Sequence, residues 1–462
     1  MNPIHWIDRE DHVRINNCTL KHTIVLVAVA FGGCIVNSEP SEPGLTGTSQ
    51  ALSLAGKATT AENVRELLAQ EEPAGSVWHS FTSAAGDEVD CVDFYEQASV
   101  RRLPAAQQQE LMRLSPGQIP MPLPPKETGP SNAAQGRRAP ADVGADAQGR
   151  ERRCPPGSVP TLHQSEADLK RFATFGDYHR KFPNGMHSDD DEYLPADSAT
   201  HEHARFSSEL DNWGAQSVLN LWKPTTAADS EFSLSQIWVV RGSGSDKQTV
   251  EVGWQKYKQK YGDTKSHLFI YYTPDNYDTG CYNKDKGCSV FVQLTGTQTT
   301  LGGTWSVFSS LGGSQYDVTV RFQFCPVSQC GASAGWWLYY SDANISEYVG
   351  YYPQSLFDSA GLQDQARFIR FGGEVAWAGG TPHTTTDMGS SVKPSGTCSS
   401  CFGQVAYQKN IQNITTGNVW ATPALETRLV TSASCYEALN YSGGSWGRYV
   451  YYGGTGFSGS CP

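Results

Sequence analysis

Two glutamates in this sequence have neighbours that suit acid–base chemistry. Glu251 stands in the run TVEVGW, residues 249–254. In a β-strand, successive side chains point to opposite faces, so the two valines and the tryptophan share one face and Glu251 lies on the other. The same alternation in FGGEVAW, residues 371–377, separates Glu374 from Val375 and Trp377. Small residues beside each carboxylate leave room for a substrate.

Two carboxylates that meet across a groove have a defined chemistry. Like charges held close cannot both ionise, so one pKa is lowered and the other is raised. The ionised member can take a proton from water, and the protonated member can donate to a peptide carbonyl or a leaving amine. We therefore expect a hydrolase most active in acid. The pattern by itself favours the alternative that both glutamates are solvated strand residues.

The elements that would position these glutamates are predicted to be β-strands. Glycine and aromatic residues are abundant after residue 200, and period-2 alternation of apolar residues recurs between turn signals. The runs are Ser235–Val240, Leu268–Thr273, Ser289–Leu294, Val318–Phe324, Trp336–Tyr340, Phe368–Val375 and Arg448–Tyr452. Their spacing predicts an all-β fold, an antiparallel β-sandwich of two curved, jelly-roll-like sheets.

Length and charge narrow the class of protein. The chain has 462 residues, which is long for one domain, and its net charge is −12 with a pI near 5.4. Polyanion binding requires clustered lysine and arginine, which this chain lacks, so we expect no nucleic-acid partner.

The N-terminal region indicates export. Residues 1–38 contain basic residues ahead of the apolar run TIVLVAVAFGGCIV (23–36), which is short for a membrane span but suits a signal segment. The sequence FGGC also resembles a lipobox, so Cys34 is a candidate for lipid attachment and would be the only link to a membrane. The predicted location is extracellular, either as a secreted protein or as a lipoprotein of the outer surface.

Composition divides the rest of the chain into five parts. Residues 39–59 are predicted to be a flexible tether, and residues 60–103, with a helical start and an alternating run, a small α+β pro-domain. Residues 104–153 are rich in proline, glutamine and glycine and are predicted to be a disordered linker. Residues 154–197 would end the pro-segment and contain the processing region, and residues 198–462 would form the catalytic domain.

Cysteine usage agrees with export. Beyond the signal region there are ten cysteines, an even number, which favours disulfides over metal sites in an exported chain. Cys281 with Cys288 and Cys435 with Cys461 are plausible local bridges. Cys398 and Cys401 form a CxxC, which suits a structural disulfide or partners elsewhere better than a redox site.

Other motifs are less specific. His201 and His203 lie on one strand face, but no third ligand follows at metal-site spacing. The acidic run at 189–192 lacks a calcium loop, and GSG at 242–244 lacks the context of a nucleophile elbow. We therefore predict neither a metal nor a cofactor.

The chain resembles the neprosin family in two pro-region motifs and in a series of motifs along the C-terminal part. The resemblance covers roughly residues 85–100 and 154–462. The motifs are DCVDFYEQ (90–97), CPPGSVP (154–160), GA (214–215), FSLSQIW (232–238), EVGW (251–254), YGD (261–263), GCYN (280–283), GWW (335–337), VGYYP (349–353), FGGEV (371–375), MGS (388–390) and YGG (452–454).

The resemblance implies a glutamic peptidase that is made as a zymogen and cuts after proline in acid. The family's two catalytic glutamates correspond to Glu251 and Glu374. Its partners would be proline-containing peptides and its own pro-segment as an intramolecular inhibitor. Pro183 and Pro195 are possible self-processing sites. The sequence departs from the common pattern in a long insert between the pro-region motifs and in the pair Cys325 and Cys330.

The substrate pocket is less defined by sequence. Trp254, Trp377, Tyr272 and Trp238 are candidate walls for proline, although each also suits core packing. Two alternatives to a peptidase remain: a secreted carbohydrate-binding or adhesion module, whose aromatic residues would stack on sugars, and a paired-carboxylate glycosidase.

Overall fold

The computed structural model describes residues 54–114, 121, 137–138, 154–181, 201–396, 398, 401–458 and 461. Cys34, the acidic run 189–192, Pro183, Pro195 and most of the insert lie outside the described residues. No helix among the described residues is long and apolar enough to cross a membrane.

The segment before residue 201 forms a small α+β unit. Its helices are α1 (Ala61–Glu71), α2 (Ala98–Arg101), α3 (Ala105–Arg113), α4 (Glu166–Leu169) and α5 (Phe175–His179). Its strands are β1 (Val77–Thr82), β2 (Glu88–Asp93) and β4 (Ser158–Leu162), whereas β3 (Arg137–Arg138) pairs with a strand of the large sheet described below. Strands β1, β2 and β4 form a three-stranded antiparallel sheet in the order β1-β2-β4. Thr60 caps α1, because its hydroxyl accepts a hydrogen bond from the backbone N–H of Asn63.

This unit differs from the predicted boundaries in two places. Residues 158–162, expected in the processing region, form the third strand of the same sheet, and the disulfide Cys91–Cys154 ties them to β2. The prediction of disorder from residue 104 is wrong at its start, because α3 occupies residues 105–113. Leu111 supplies the missing apolar contact, packing in a cluster with Phe94 and Trp337.

The remainder of the described chain is mostly β, as predicted. Its strands are β5 (His201–Asn220), β6 (Phe232–Arg241), β7 (Gln248–Tyr257), β8 (Ser266–Thr273), β9 (Cys281–Tyr282), β10 (Val292–Gln293), β11 (Tyr316–Cys325), β12 (Gly335–Ser341), β13 (Ser346–Pro353), β14 (Ala366–Ala376), β15 (Ala406–Thr415), β16 (Trp420–Ala421), β17 (Thr427–Val430), β18 (Glu437–Ser442) and β19 (Arg448–Gly453). Two short helices, α6 (Lys258–Tyr261) and α7 (Val327–Cys330), interrupt them.

The long strand β5 joins the two curved layers of this fold. Its first half pairs with β14 on one side and β17 on the other, whereas its second half pairs with β11 and β15. The layer that carries both glutamates continues from β14 through β6, β7 and β8. Hydrogen bonding is consequently continuous through one curled sheet of sixteen strands.

The main core lies between the layers. Trp254 of β7 donates its indole N–H to the backbone carbonyl of Asn220, 2.9 Å away, and Tyr272 of β8 packs against Tyr352 of β13. A second apolar cluster lies on the outer face of β6, β7 and β8, where α5 and α1 cover Phe232, Trp238 and Tyr271. The segment before residue 201 thus covers the face opposite the core.

Five disulfides cross-link the described chain. They join Cys91 to Cys154, Cys281 to Cys288, Cys325 to Cys330, Cys398 to Cys401, and Cys435 to Cys461. Both local bridges suggested by spacing are present, and the CxxC closes on itself.

Candidate active site

Three neighbouring strands bring the two glutamates to one face of the sheet. In the pairing of β6 with β7, Glu251 lies opposite Trp238, and in the pairing of β6 with β14, Glu374 lies opposite Leu234. Directly paired residues share a face, and residues two apart on β6 also share it. Both carboxylates therefore project from the outer face, away from the main core.

Glu251 is held by two hydroxyl groups of the same domain. Its Oε1 accepts hydrogen bonds from Thr249 Oγ1 at 2.9 Å and from the Tyr277 hydroxyl at 2.5 Å. Thr249 lies two residues away on the same face of β7, and Tyr277 is in the loop after β8. The side chain of Glu251 is 0% exposed. This leaves Oε2 as the oxygen that faces the neighbouring glutamate.

Glu374 is held by an imidazole. Its Oε1 lies 2.8 Å from Nδ1 of His201, at the start of β5. The pairing of β14 with β5 sets His203 directly opposite Glu374. Glu374 therefore lies beside two imidazole rings, whereas Oε1 of Glu251 is bound by hydroxyl groups.

A buried lysine occupies the space between the glutamates. Lys181 Nζ lies 2.7 Å from Glu251 Oε2 and 3.0 Å from Glu374 Oε2, and its side chain is 1% exposed. The ammonium is also 5.5 Å from the centre of the Trp238 ring and 5.9 Å from that of Tyr277. Both carboxylates thus direct one oxygen to a single point.

The electrostatics of this cluster favour charged groups. Burial raises the pKa of Glu374, but the charge of Lys181, the hydrogen bond from His201 and the nearby histidine charges lower it to about 2. Burial lowers the pKa of Lys181, yet the charges of Glu251 and Glu374 and their hydrogen bonds raise it overall. The cluster is consequently a buried ion-pair network and not a pair of solvated carboxylates.

Part of the chain, including both glutamates of this cluster, matches a known protein family. Residues 229–455 match the family model described as Neprosin. This segment is therefore similar to the Neprosin family. The matched segment includes both glutamates and the strands that position them, whereas Lys181 and His201 precede it.

Three solved structures match this chain at low sequence identity. Two crystal structures of Scytalido-glutamic peptidase, with a peptide-based transition state analog and with a transition state analog inhibitor, match at 8% identity with TM-scores of 0.27 and 0.26. SCP-B, an eqolisin peptidase in complex with the tripeptide Ala-Ile-His, matches at 6% identity and a TM-score of 0.25. Each match covers 55% of this chain and 97% of the other.

The aromatic candidates occupy two different environments in the matched segment. Trp238 lies on the glutamate face, next to Lys181. Trp254, Tyr272 and Trp377 belong to the main core on the opposite face. Trp254 and Tyr272 alternate with Glu251 and Tyr271 along β7 and β8, so their side chains lie on the face opposite the glutamates. Trp377 directly follows β14 and packs in the main core. For these three residues core packing replaces the predicted substrate contact.

Among the residues that the structure describes, His201 and His203 are not grouped with a third metal ligand. His201 and His203 flank Glu374, but Glu202 lies on the other face of β5, where His383 and Thr431 bind it. Elsewhere His383 approaches Cys435 and Cys461, whose sulfurs are joined to each other and are not free thiolates. These residues therefore offer no evident cofactor site.

Several residues of the site were not identified from the sequence. Lys181 lies before the predicted catalytic domain, and nothing in its local pattern indicates a contact with residues far along the chain. Tyr277 is in a loop, where alternation gives no direction. From the sequence, His201 and His203 were considered only as metal ligands. Their shared strand face was nevertheless a signal that both could lie beside a carboxylate of a neighbouring strand.

Proposed function

We propose that this chain is the zymogen of an exported glutamic endopeptidase that hydrolyses peptide bonds after proline in acid solution. The observation that carries the proposal is the convergence of Glu251 Oε2 and Glu374 Oε2 on one atom, Lys181 Nζ, at 2.7 and 3.0 Å. A water or peptide group in that position would lie within hydrogen-bond reach of both carboxylates. The match to the Neprosin family supports the peptidase class.

In the proposed reaction the two carboxyl groups carry out the proton transfers to and from water. The ionised glutamate removes a proton from water while the water oxygen bonds to the carbonyl carbon, and the carbonyl π electrons move to oxygen. As the tetrahedral intermediate collapses, the carbon–nitrogen bond breaks and the protonated glutamate gives its proton to the amine. The products are a carboxylic acid and an amine, and the proton taken from water restores the acid.

The zymogen part of the proposal rests on Lys181. Its ammonium fills the space that a reacting peptide would need, and it reaches that space from the segment before residue 198. Helix α5 anchors this segment: Lys260 donates to the Tyr178 carbonyl oxygen, 2.7 Å away, and the His179 ring lies 2.7 Å from the Lys286 carbonyl oxygen. The pro-segment would thus inhibit the enzyme as an internal plug.

Acid would weaken this plug. The pKa of Glu374 is lowered from 4.5 to about 2 in the folded protein. A carboxylate with a lowered pKa stabilises the fold above its ordinary pKa, and this contribution is lost as the pH falls through the folded value. The loss between about pH 4.5 and 2 would favour release of Lys181 and cleavage between residues 181 and 201.

Specificity for proline rests on the aromatic rings beside Lys181. Trp238 and Tyr277 flank the ammonium, and both are buried on the glutamate face. Flat apolar rings make favourable contacts with a pyrrolidine ring. Export is supported by the five disulfides, since such bonds persist in oxidising compartments.

Incubation of the acid-treated protein with a proline-containing peptide tests the proposal. Mass spectrometry should show cleavage on the carboxyl side of proline. Glu251→Gln and Glu374→Gln keep side-chain size but remove the titrating group, so each should lower kcat by at least about 10²-fold. The matched control is Glu231→Gln, another buried carboxylate, which binds Thr384 and Thr386 instead. Full activity in both catalytic variants would exclude the proposed reaction.

A further inference from the structure

Gln236 lies at the centre of the glutamate face. In β6 it is paired with Gly253 of β7 on one side and with Gly372 of β14 on the other. Glu251 is two residues from Gly253, and Glu374 is two residues from Gly372. Because residues two apart share a face, the two carboxylates stand diagonally on either side of the Gln236 side chain.

The two flanking glycines are required by the backbone. A Cβ on Gly253 would lie 1.9 Å from the Ser235 carbonyl oxygen and 2.7 Å from Cβ of Gln236. Gly372 has φ +152°, and a Cβ there would lie 2.3 Å from the Ala204 carbonyl oxygen. The carboxamide of Gln236 therefore has no side chain beside it on the neighbouring strands at its own level.

The position of Gln236 is fixed from the reverse side of the sheet. Gln408 of β15 donates from Nε2 to Ser235 Oγ at 2.9 Å and to the carbonyl oxygens of Gln236 and Gly372, both at 3.0 Å. These contacts link β6 to β14 at the level of Gln236. They hold the backbone from which the Gln236 side chain projects.

The carboxamide itself is buried and has no partner. Gln236 is 0% exposed, and neither Nε2 nor Oε1 has a hydrogen-bond partner among the described residues. A buried polar group without a partner destabilises the fold, so such groups are rare and have specific causes. Among the buried amide side chains of the described residues, Asn413 is the other one with both atoms unpartnered.

We propose that Gln236 is a third catalytic residue, whose amide N–H donates a hydrogen bond to the oxyanion formed when water attacks the substrate carbonyl. The assignment rests on the proposed function. Once Lys181 has left, the reacting carbonyl lies between the carboxylates and above this amide. The hydrogen bond forms as the carbonyl π electrons move to oxygen and is released when the carbon–nitrogen bond breaks.

The test is the substitution Gln236→Met, which keeps side-chain length but removes both hydrogen-bonding atoms. Each variant is made as the full chain and processed in trans by affinity-tagged wild-type enzyme, which is then removed. Loss of one oxyanion donor should lower kcat by about 10²-fold or more, with KM changed by less than about threefold. The melting temperature should stay the same or rise, because an unpartnered buried amide is replaced by an apolar group.

Two controls keep the outcomes separate. Asn413→Leu removes the other unpartnered amide, far along β5 from the glutamates, and should leave kcat unchanged. Gln236→Asn keeps the amide but withdraws it by one methylene, and it serves as the second variant if the methionine variant does not fold. Activity in Glu251→Gln and Glu374→Gln would overturn the proposed function itself. If those variants are inactive while both Gln236 variants keep wild-type kcat, only the role of Gln236 is excluded.

Discussion

At the residue scale, the glutamate pair is asymmetric. Glu251 is bound by the hydroxyls of Thr249 and Tyr277, which are neutral in acid, whereas Glu374 is bound by His201. A protonated imidazole stabilises a neighbouring carboxylate in its ionised form. We therefore propose Glu374, whose pKa is lowered to about 2, as the base of the pair.

We expect His201→Asn to move the acidic limb of the kcat/KM profile to higher pH by about one unit, because an imidazolium no longer lowers the Glu374 pKa. Other groups that face Glu374 after Lys181 has left are Glu251 and His203, and these are unchanged. The measurement is initial rates from pH 2 to 7 after processing. His267→Asn is the control, since this histidine binds Asp263 and the Gly302 carbonyl. An unmoved limb would contradict the role of His201.

At the scale of elements, the segment that ends at Lys181 decides whether the site is closed. Three aromatic residues of this segment, Phe172, Phe175 and Tyr178, pack against the outer face of β6, β7 and β8. Their packing positions Lys181 relative to the two glutamates. The apolar contacts give the segment affinity, and the ion pairs place its charge. Removing one partner of a buried ion pair is strongly destabilising because the other charges stay buried.

We expect Lys181→Met to loosen the pro-segment by about 3–5 kcal/mol above pH 5, which should expose peptidase activity before any processing. The difference in melting temperature from wild type should shrink as the pH falls from 4.5 towards 2, because wild-type Glu374 loses its own contribution there. Thermal unfolding and peptide cleavage by the full chain measure both effects. Lys170→Met, at an exposed pair with Glu166, is the control and should change neither. If the Lys181→Met full chain were inactive and as stable as wild type, the proposed inhibitory role of Lys181 would be refuted.

At the scale of the whole molecule, the curled sheet brings distant parts of the chain into contact on the face of β5 opposite the glutamate site. Glu202 of β5 accepts a hydrogen bond from Thr431 at 2.6 Å and lies 3.2 Å from His383 Nε2. Burial raises the pKa of Glu202, but hydrogen bonds from His383, Thr431 and Ser432 lower it overall. Burial lowers the pKa of His383, but its bonds to Glu202 and to the Thr384 carbonyl raise it overall.

These two shifts predict a stabilising contact that is strongest in mild acid. The Glu202 contribution is present above pH 4.5 and is lost as the pH falls through its lowered pKa. The His383 contribution is present below pH 6.5 and is lost as the pH rises through its raised pKa. We expect Glu202→Gln to lower the melting temperature by about 2 °C or more at pH 5.5 and by less at pH 8.5. An effect that is equal at both pH values would argue against an ion pair.

The sequence alone determined the properties that depend on neighbours along the chain. Period-2 alternation predicted the strands and the face of each glutamate, because a strand turns every second side chain to the same side. The even number of cysteines predicted disulfides, and four of the five bridges join cysteines that the spacing or the family pattern had singled out. The motifs around Glu251 and Glu374 identified these residues as a candidate pair.

Only the tertiary structure decided which of these faces meet. Lys181 is 70 residues from Glu251 and 193 from Glu374, and contacts of such separation follow from the pairing order of strands and not from local pattern. That order also put Gln236 between the two carboxylates and assigned Trp254 and Tyr272 to the core. Alternation defines two faces for every strand, but long-range hydrogen bonding selects the strands that lie side by side. The environment of the two glutamates is therefore a property of the folded sheet.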